Sequence, residues 1–302
     1  MNKIALGLVA LLLFFSCSGP GKNDKADVEK QLPAMLVADA KPFIPTLPDK
    51  MNEISGMLVW KNLFWGFNDS GGDAVLFGFD KSGTIRMEIE LEGAVNRDWE
   101  SITQDEDYLY VGDFGNNRGN REDLCIYKIN KKKIGGEAQQ KVGAEKINIR
   151  YAAQKNFVIS SKSTPFDCEA MVEFKGKLYL FSKNWSEHTT AIYRLPTQPG
   201  EYTLEAIDTL EVNLLVTGAD ISPDKTKLAL IGYLDYRTYL WIFSDFADDD
   251  FGRGESNYLN LKNIDGAQTE GIYFMNNDSL LISCEDKGVK TFNTNPLSII
   301  IH

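Results

Sequence analysis

Apolar, aromatic and β-branched residues along this chain fall into short runs that come in pairs, each pair joined by a polar turn. The second runs read LFWGFND, YLYVGDF, LYLFSKN, LALIGYL and LLISCED. The turns before them lie at Lys61-Asn62, Gln104 to Asp107, Lys175-Gly176-Lys177, Pro223-Asp224-Lys225 and Asn276-Asn277-Asp278, and use residue types that hairpins prefer. Further turns are expected at Asp80-Lys81-Ser82-Gly83 and at Asn130-Lys131-Lys132, the latter as a solvated turn. Helix-period segments with caps are scarce, so the pattern predicts an all-β chain.

Each pair opens on a short acidic, small and apolar element: Glu53-Ile54-Ser55-Gly56, Asp98-Trp99-Glu100-Ser101, Asp167-Cys168-Glu169-Ala170, Thr217-Gly218-Ala219-Asp220 and Thr269-Glu270-Gly271-Ile272. With Glu53, Glu100, Glu169, Ala219 and Glu270 taken as equivalent, three of the four steps lie near about 50 residues, the size of a four-stranded propeller blade. The repeat therefore predicts one β-propeller domain over 31–302. Five blades are expected, or six if the long step between Glu100 and Glu169 holds extra strands. The segment Pro33 to Phe43 and the run Leu297 to Ile301 are expected to pair and close the ring, which removes an open sheet edge. The competing arrangement is a set of unrelated hairpins packed as a sandwich.

In a hairpin the second strand returns to the end where the first began, so both polar clusters share one rim. The first strands bring Glu53, Asp98, Glu100, Asp167, Glu169, Asp220 and Glu270 to that rim, and the second strands bring Asn68, Asp69, Asp113, Asn116, Lys183, Asn184, Glu285 and Asp286. Carboxylates crowded around a narrow axis must be protonated, hydrated or matched by cations. Calcium meets this need with about six to eight oxygen ligands in flexible geometry. A chain with only His188 and His302, and no cysteines at C-x-x-C spacing, is poorly equipped for transition metals. The candidate ligands of a calcium ion at the channel mouth are Glu53, Glu100, Glu169, Glu270 and Glu285. Asn68, Asp98, Lys183, Asn184 and Trp185 are candidates for contact with a bound molecule, and Asp69 and Asp113 for a base should the site be catalytic. The competing role for the repeated acids is to accept backbone hydrogen bonds between neighbouring blades.

Charge and the N-terminus narrow the partners. Acidic residues outnumber basic ones 43 to 32, a net charge of -11, which argues against a nucleic acid partner. The apolar run after Lys3, Ile4 to Phe15, is shorter than the roughly 20 residues of a membrane-spanning helix and reads as a signal-peptide core over 1–16. Phe14-Phe15-Ser16-Cys17 resembles the lipobox of bacterial lipoproteins, with Phe14 where leucine is usual. The resemblance implies cleavage after Ser16, lipidation of Cys17 and, with Ser18 rather than an aspartate next, sorting to the outer membrane; which side of it the domain faces stays open. Residues 17–30, poor in apolar side chains, are expected to be a flexible tether. Cys125, Cys168 and Cys284 are expected as buried structural thiols, and Trp60, Trp65, Trp99 and Trp241 as core.

Two kinds of family resemblance bear on function. The stretch TEGIYFMNNDSLLISCEDKGVKTFN is similar to the blade motif of β-propeller phytases, and the Glu-small-apolar starts resemble inner strands of SMP-30/gluconolactonase and paraoxonase-like propellers. These likenesses imply calcium held by such acids, including Glu270, Glu285 and Asp286. The order NDSGG, DWESI, GDFGNN and TEGI resembles a group of bacterial β-propeller lipoproteins over most of the chain past residue 53. The leading expectation is an envelope-anchored module that binds a small molecule or another envelope protein, with calcium at its channel mouth. The alternative is a calcium-dependent hydrolase of a lactone or phosphoester.

Overall fold

Strand after strand buries its residues on both faces, as in β12 below, which is what stacked sheets require of their inner strands. The computed structural model describes residues 32–285 apart from 42, 45–46 and 52; the lipobox, the tether and the closing run Leu297 to Ile301 lie outside them. The chain enters at β1 (Met35–Ala38). The first blade is β2 (Ile54–Trp60), β3 (Leu63–Asn68), β4 (Val75–Phe79) and β5 (Ile85–Glu92). The second is β6 (Trp99–Gln104), β7 (Tyr108–Asp113) and β8 (Cys125–Asn130), with β9 (Gln139–Gly143) leaving to another sheet before β10 (Glu145–Tyr151) completes it. The third is β11 (Asp167–Phe174), β12 (Lys177–Lys183), β13 (Thr190–Pro196) and, after the departing β14 (Gly200–Leu204), β15 (Ala206–Leu210). The fourth is β16 (Leu215–Ile221), β17 (Lys227–Leu234), β18 (Arg237–Ser244) and β19 (Glu255–Leu261). A last hairpin, β20 (Gln268–Asn276) with β21 (Ser279–Glu285), stands as a two-stranded sheet.

The chain is thus an all-β propeller with four blades among the described residues, where the repeat led to an expectation of five or six. The fifth repeat contributes only the β20–β21 hairpin, because the rest of that repeat lies beyond residue 285. The first strands pack side by side in the order β2, β6, β11, β16, β20 and back to β2. Side chains tie these neighbours: Ser55 Oγ donates to Glu100 O at 3.2 Å, Ser101 Oγ accepts from Met171 N at 3.0 Å, and Asp220 Oδ2 accepts from Phe274 N at 2.6 Å. Acids and hydroxyls do serve as cement between these strands, Asp220 among the acids.

The long step between Glu100 and Glu169 holds one extra strand, β9, and exchange of strands between blades recurs around the ring. β9 pairs in parallel with β5, and β14 in parallel with β10, so the second and third repeats each lend a strand to the blade before. β1 does the same for the fourth blade, Met35 opposite Tyr258 through Ala38 opposite Leu261. The N-terminal segment thus joins β19; the C-terminal run expected to meet it lies outside the described residues. Covering an outer edge in this way removes a strand that could pair with another chain.

Between blades the core is aromatic. Trp99, fully buried, meets Phe67 edge to face at 5.5 Å, and Phe251 packs among Phe174, Tyr179 and Phe181. Trp65 and Trp241 are buried as expected and Trp60 is half-buried. Cys125 and Cys168 are buried free thiols. Lys131 departs from expectation: it is buried in a single 3-10 turn, and its ammonium donates to Gln104 Oε1 at 2.8 Å and Asp105 O at 2.5 Å. The turn it closes folds back on its own blade and so is not fully solvated.

Candidate functional site

The repeated acidic element owes its geometry to a β-bulge. Pairing between first and second strands slips between Trp99 and Ser101, between Cys168 and Ala170, between Val216 and Gly218, and between Thr269 and Gly271. The extra residue is Glu100, Glu169, Thr217 or Glu270, and in the first blade the slip spans Gly56 and Met57. A bulge re-aims the side chain it carries, and one residue of register decides which way that side chain faces. Ala219 is therefore not the fourth member of the set; Thr217 is, and its hydroxyl donates to Thr269 O. Glu53 also falls outside: it precedes β2, is exposed, and contributes its carbonyl to Asp69 N at 2.9 Å. Three glutamates remain on the ring, at its second, third and fifth positions.

Glu100 comes together with Asp98 and with Asp69, which follows the end of β3. One carboxylate oxygen from each lies within 4.8 Å of the others. Glu100 is 7% exposed, and no donor among the described residues reaches its carboxylate. Burial, then the like charges of Glu169, Asp69, Asp98 and Asp167, hold its carboxyl well above the usual range. Asp98 is pushed up to about 7 by burial and by Asp69, against the pull of Arg121. The loop after β7 wraps these acids. A Cβ on Gly115 would stand 2.3 Å from Glu100 Oε1 and 2.5 Å from Asp98 Oδ2, so the two carboxylates close onto bare backbone.

Asp113, Asp167 and Glu169 on the same rim have hydrogen-bond partners of their own. Asp113 is 2% exposed, with Oδ1 accepting from Arg121 at 2.8 Å and from Asp98 N at 3.2 Å. Burial raises its carboxyl even so. Arg121 also donates to Gly115 O at 2.9 Å and thereby fixes the loop. Asp167 accepts from Asn116 N at 2.6 Å and from Trp185 Nε1 at 2.7 Å, which sets the indole on the rim. Glu169 receives the Lys183 ammonium on both oxygens at 2.7 Å, both residues at most 5% exposed. Burial opposes the charge on Lys183, but Glu169 holds it protonated well above the ordinary lysine range. Lys183 also lies 4.7 Å from the Trp185 ring and 5.1 Å from that of Tyr233.

The other sequence candidates lie apart from this cluster. Asn184 folds its own turn, its Oδ1 accepting from Ser186 N and Glu187 N and its Nδ2 donating to Thr189. Asn68 donates to Lys50 O at 2.8 Å, in a cleft on the outer side of the first blade. Glu270 stands electrostatically beside Glu169 and Lys183. The side chain of Glu285 is outside the described set, as is Asp286. Sequence reading missed Gly115 as the backbone on which Asp98 and Glu100 close, and Asn96, whose amide donates to the carbonyls of Asn68 and Asp69 and holds Asp69 in place.

No family model matches the chain, and no curated protein matches its sequence. Among solved structures it is similar to hydrazine synthase of Kuenenia stuttgartiensis, at 12% identity and TM-score 0.39 over 79% of this chain and 57% of that one. It is also similar to a putative 6-phosphogluconolactonase of Bacteroides fragilis, at 16% identity and TM-score 0.41 over 76% of each chain. A quinonprotein alcohol dehydrogenase-like protein of Bacteroides thetaiotaomicron shares 10% identity at TM-score 0.38, over 80% of this chain and 53% of that one. This chain thus spans little more than half the length of the first and third. The function proposed for it rests on its own residues.

Proposed function

We propose that this propeller is a cation-dependent binding module, with calcium held by Asp69, Asp98 and Glu100 and completed by the molecule it binds, a small ligand or another envelope protein. The observation that carries the reading is Glu100, buried with no donor among the described residues and brought together with two more carboxylates. Burying that much like charge is costly unless a cation matches it. A hard cation with flexible coordination fits an all-oxygen set, and three side chains leave positions for water or a ligand. Glu169, neutralised by Lys183, belongs to the wall and not to the ion. A hydrolase would need a base beside the cation, and Asp113 is committed to Arg121. The domain is held at the outer membrane by lipid on Cys17, which membrane fractionation of a Cys17→Ala variant tests.

Thermal melts across pH, with and without calcium, test the site. Asp98 binds its proton more tightly folded than unfolded, because its carboxyl rises from 3.8 to about 7. The stability this contributes is full below the unfolded value and is lost as pH rises through 7. Glu100 acts in the same direction. The calcium-free protein is therefore expected to melt lower at pH 8 than at pH 5, and calcium to reverse the loss. At about a hundredfold excess over Kd the gain is about 2.7 kcal/mol. Melts unmoved by millimolar calcium at pH 8 would overturn the proposal.

A further inference from the structure

The loop between β10 and β11 lies on the rim of the channel mouth and is tied to the loop after β7. Gln154 is buried and its amide donates to Gly119 O at 2.9 Å, Ser160 N donates to Arg118 O at 2.9 Å, and Lys162 N donates to Asn117 O at 2.8 Å. The stretch between these anchors is therefore held in place, yet it leaves Val158 72% and Ile159 54% exposed. Val158 is the most exposed large aliphatic side chain among the described residues, while Phe157 before it is half-buried.

A second apolar tip stands on the same rim in the fourth blade. The β17–β18 hairpin turns at Asp235 and Tyr236, both with left-handed backbone, at φ 49° and 64°. A two-residue turn of this kind favours asparagine and glycine, so a tyrosine there gains nothing for the fold. Tyr236 is 86% exposed, which is why its ring also adds nothing to the core. Folding does not account for either tip, and exposed apolar side chains gathered on one face mark a surface that meets something else.

The tips are set among cations. Arg118, Lys155 and Lys162 flank the first and Arg237 follows Tyr236; all four are exposed and make no ion pair among the described residues. Arg97 and Arg121, close to the acidic cluster, are by contrast both paired. Glu122, Glu187 and Asp235 are acids on the same loops, and the chain as a whole carries a net charge of -11. Attraction to a negative surface is thus confined to the tips, and the acidic body is turned away from it.

We infer that this rim docks on an anionic phospholipid bilayer, with Val158, Ile159 and Tyr236 entering the headgroup region and the cations beside them meeting lipid phosphates. Tips of one or two side chains on separate blades suit a yielding, laterally extended layer, whereas a protein interface is built around a close-packed apolar centre. Buried apolar area and attraction to anionic headgroups together set the strength of such a contact. The lipid proposed on Cys17 keeps a bilayer within reach, but the contact itself needs neither that lipid nor calcium.

The test is vesicle co-sedimentation of residues 30–302 in calcium-free buffer; every described strand lies past residue 31, and this chain lacks both the apolar leader run and Cys17. Binding is expected to vesicles of phosphatidylethanolamine and phosphatidylglycerol, and to be about tenfold weaker or more when Val158→Ser and Ile159→Ser are combined. Tyr236→Ser is expected to weaken it several-fold, and Lys155→Gln with Lys162→Gln to remove the preference over vesicles of phosphatidylcholine alone. All these positions are exposed, so the variants keep their fold, which their melting temperatures check. Val37→Ser, at an equally exposed position on the outer strand β1, is expected to bind as the parent does. No binding at millimolar lipid, unchanged binding in the Val158 and Ile159 double variant, or an equal loss in Val37→Ser would each overturn the inference.

Discussion

Replacing Lys183 with methionine is expected to lower stability by about 3–5 kcal/mol, the cost of stranding a buried carboxylate. Among the described residues its ammonium is the hydrogen-bond partner of the Glu169 side chain, 2.7 Å from both oxygens. Neither residue has solvent to fall back on. The variant's loss is expected to be largest at high pH and to shrink as pH falls. A stranded, buried Glu169 has a carboxyl raised above its unfolded value, so protonation restores part of the stability. Combining Lys183→Met with Glu169→Leu is expected to recover most of the loss, since an apolar pair of similar volume replaces a desolvated ion pair at little cost. Urea denaturation of the three chains at pH 5 and pH 8 measures all of this. A single variant within about 1 kcal/mol of the parent would show that Glu169 finds water in the channel.

Gly115→Ala is expected to weaken calcium binding by about a hundredfold or more while changing stability by less than about 1 kcal/mol. The added methyl would meet the ends of two flexible side chains, Glu100 and Asp98, with no backbone among its nearest contacts. These carboxylates swing aside at small cost to the fold, but they no longer converge. Gly115 does not have the left-handed backbone that alanine resists, so the substitution carries no conformational penalty of that kind. The variant thus separates the geometry of the site from the stability of its blade, which a substitution at Lys183 cannot do. Equal calcium affinity in Gly115→Ala and parent would show that Asp98 and Glu100 do not bind the ion together.

Much of this was legible in the sequence because hairpins are local. The turns around Lys61, Lys175, Asp224 and Asn277 joined strand pairs as their residue types predict. Glu100, Glu169 and Glu270 were found as a repeating set for the same reason. What failed was register. A bulge adds one residue to one strand, and the alternation of small and apolar residues in TGADI is satisfied by either of two frames. The frame that chose Ala219 lost to the one that seats Thr217. The exchanged strands β1, β9 and β14 were illegible for a different reason. Parallel pairing with the preceding blade depends on where the chain travels in space, and QQKVG or GEYTL carries no mark of its partner. The pairing of Asp113 with Arg121 was likewise hidden, since nothing between them in sequence shows that the loop doubles back.

The most direct measurement is calorimetric titration of calcium into the soluble domain, residues 30–302, alongside Glu100→Gln, at pH 6 and pH 8. One ion per chain with micromolar Kd is expected, tighter at pH 8, with release of the proton that Asp98 holds near neutrality, and with binding lost in the variant. No heat at millimolar calcium, or equal binding in Glu100→Gln, would contradict the cation site and leave the ring acids as parts of the wall.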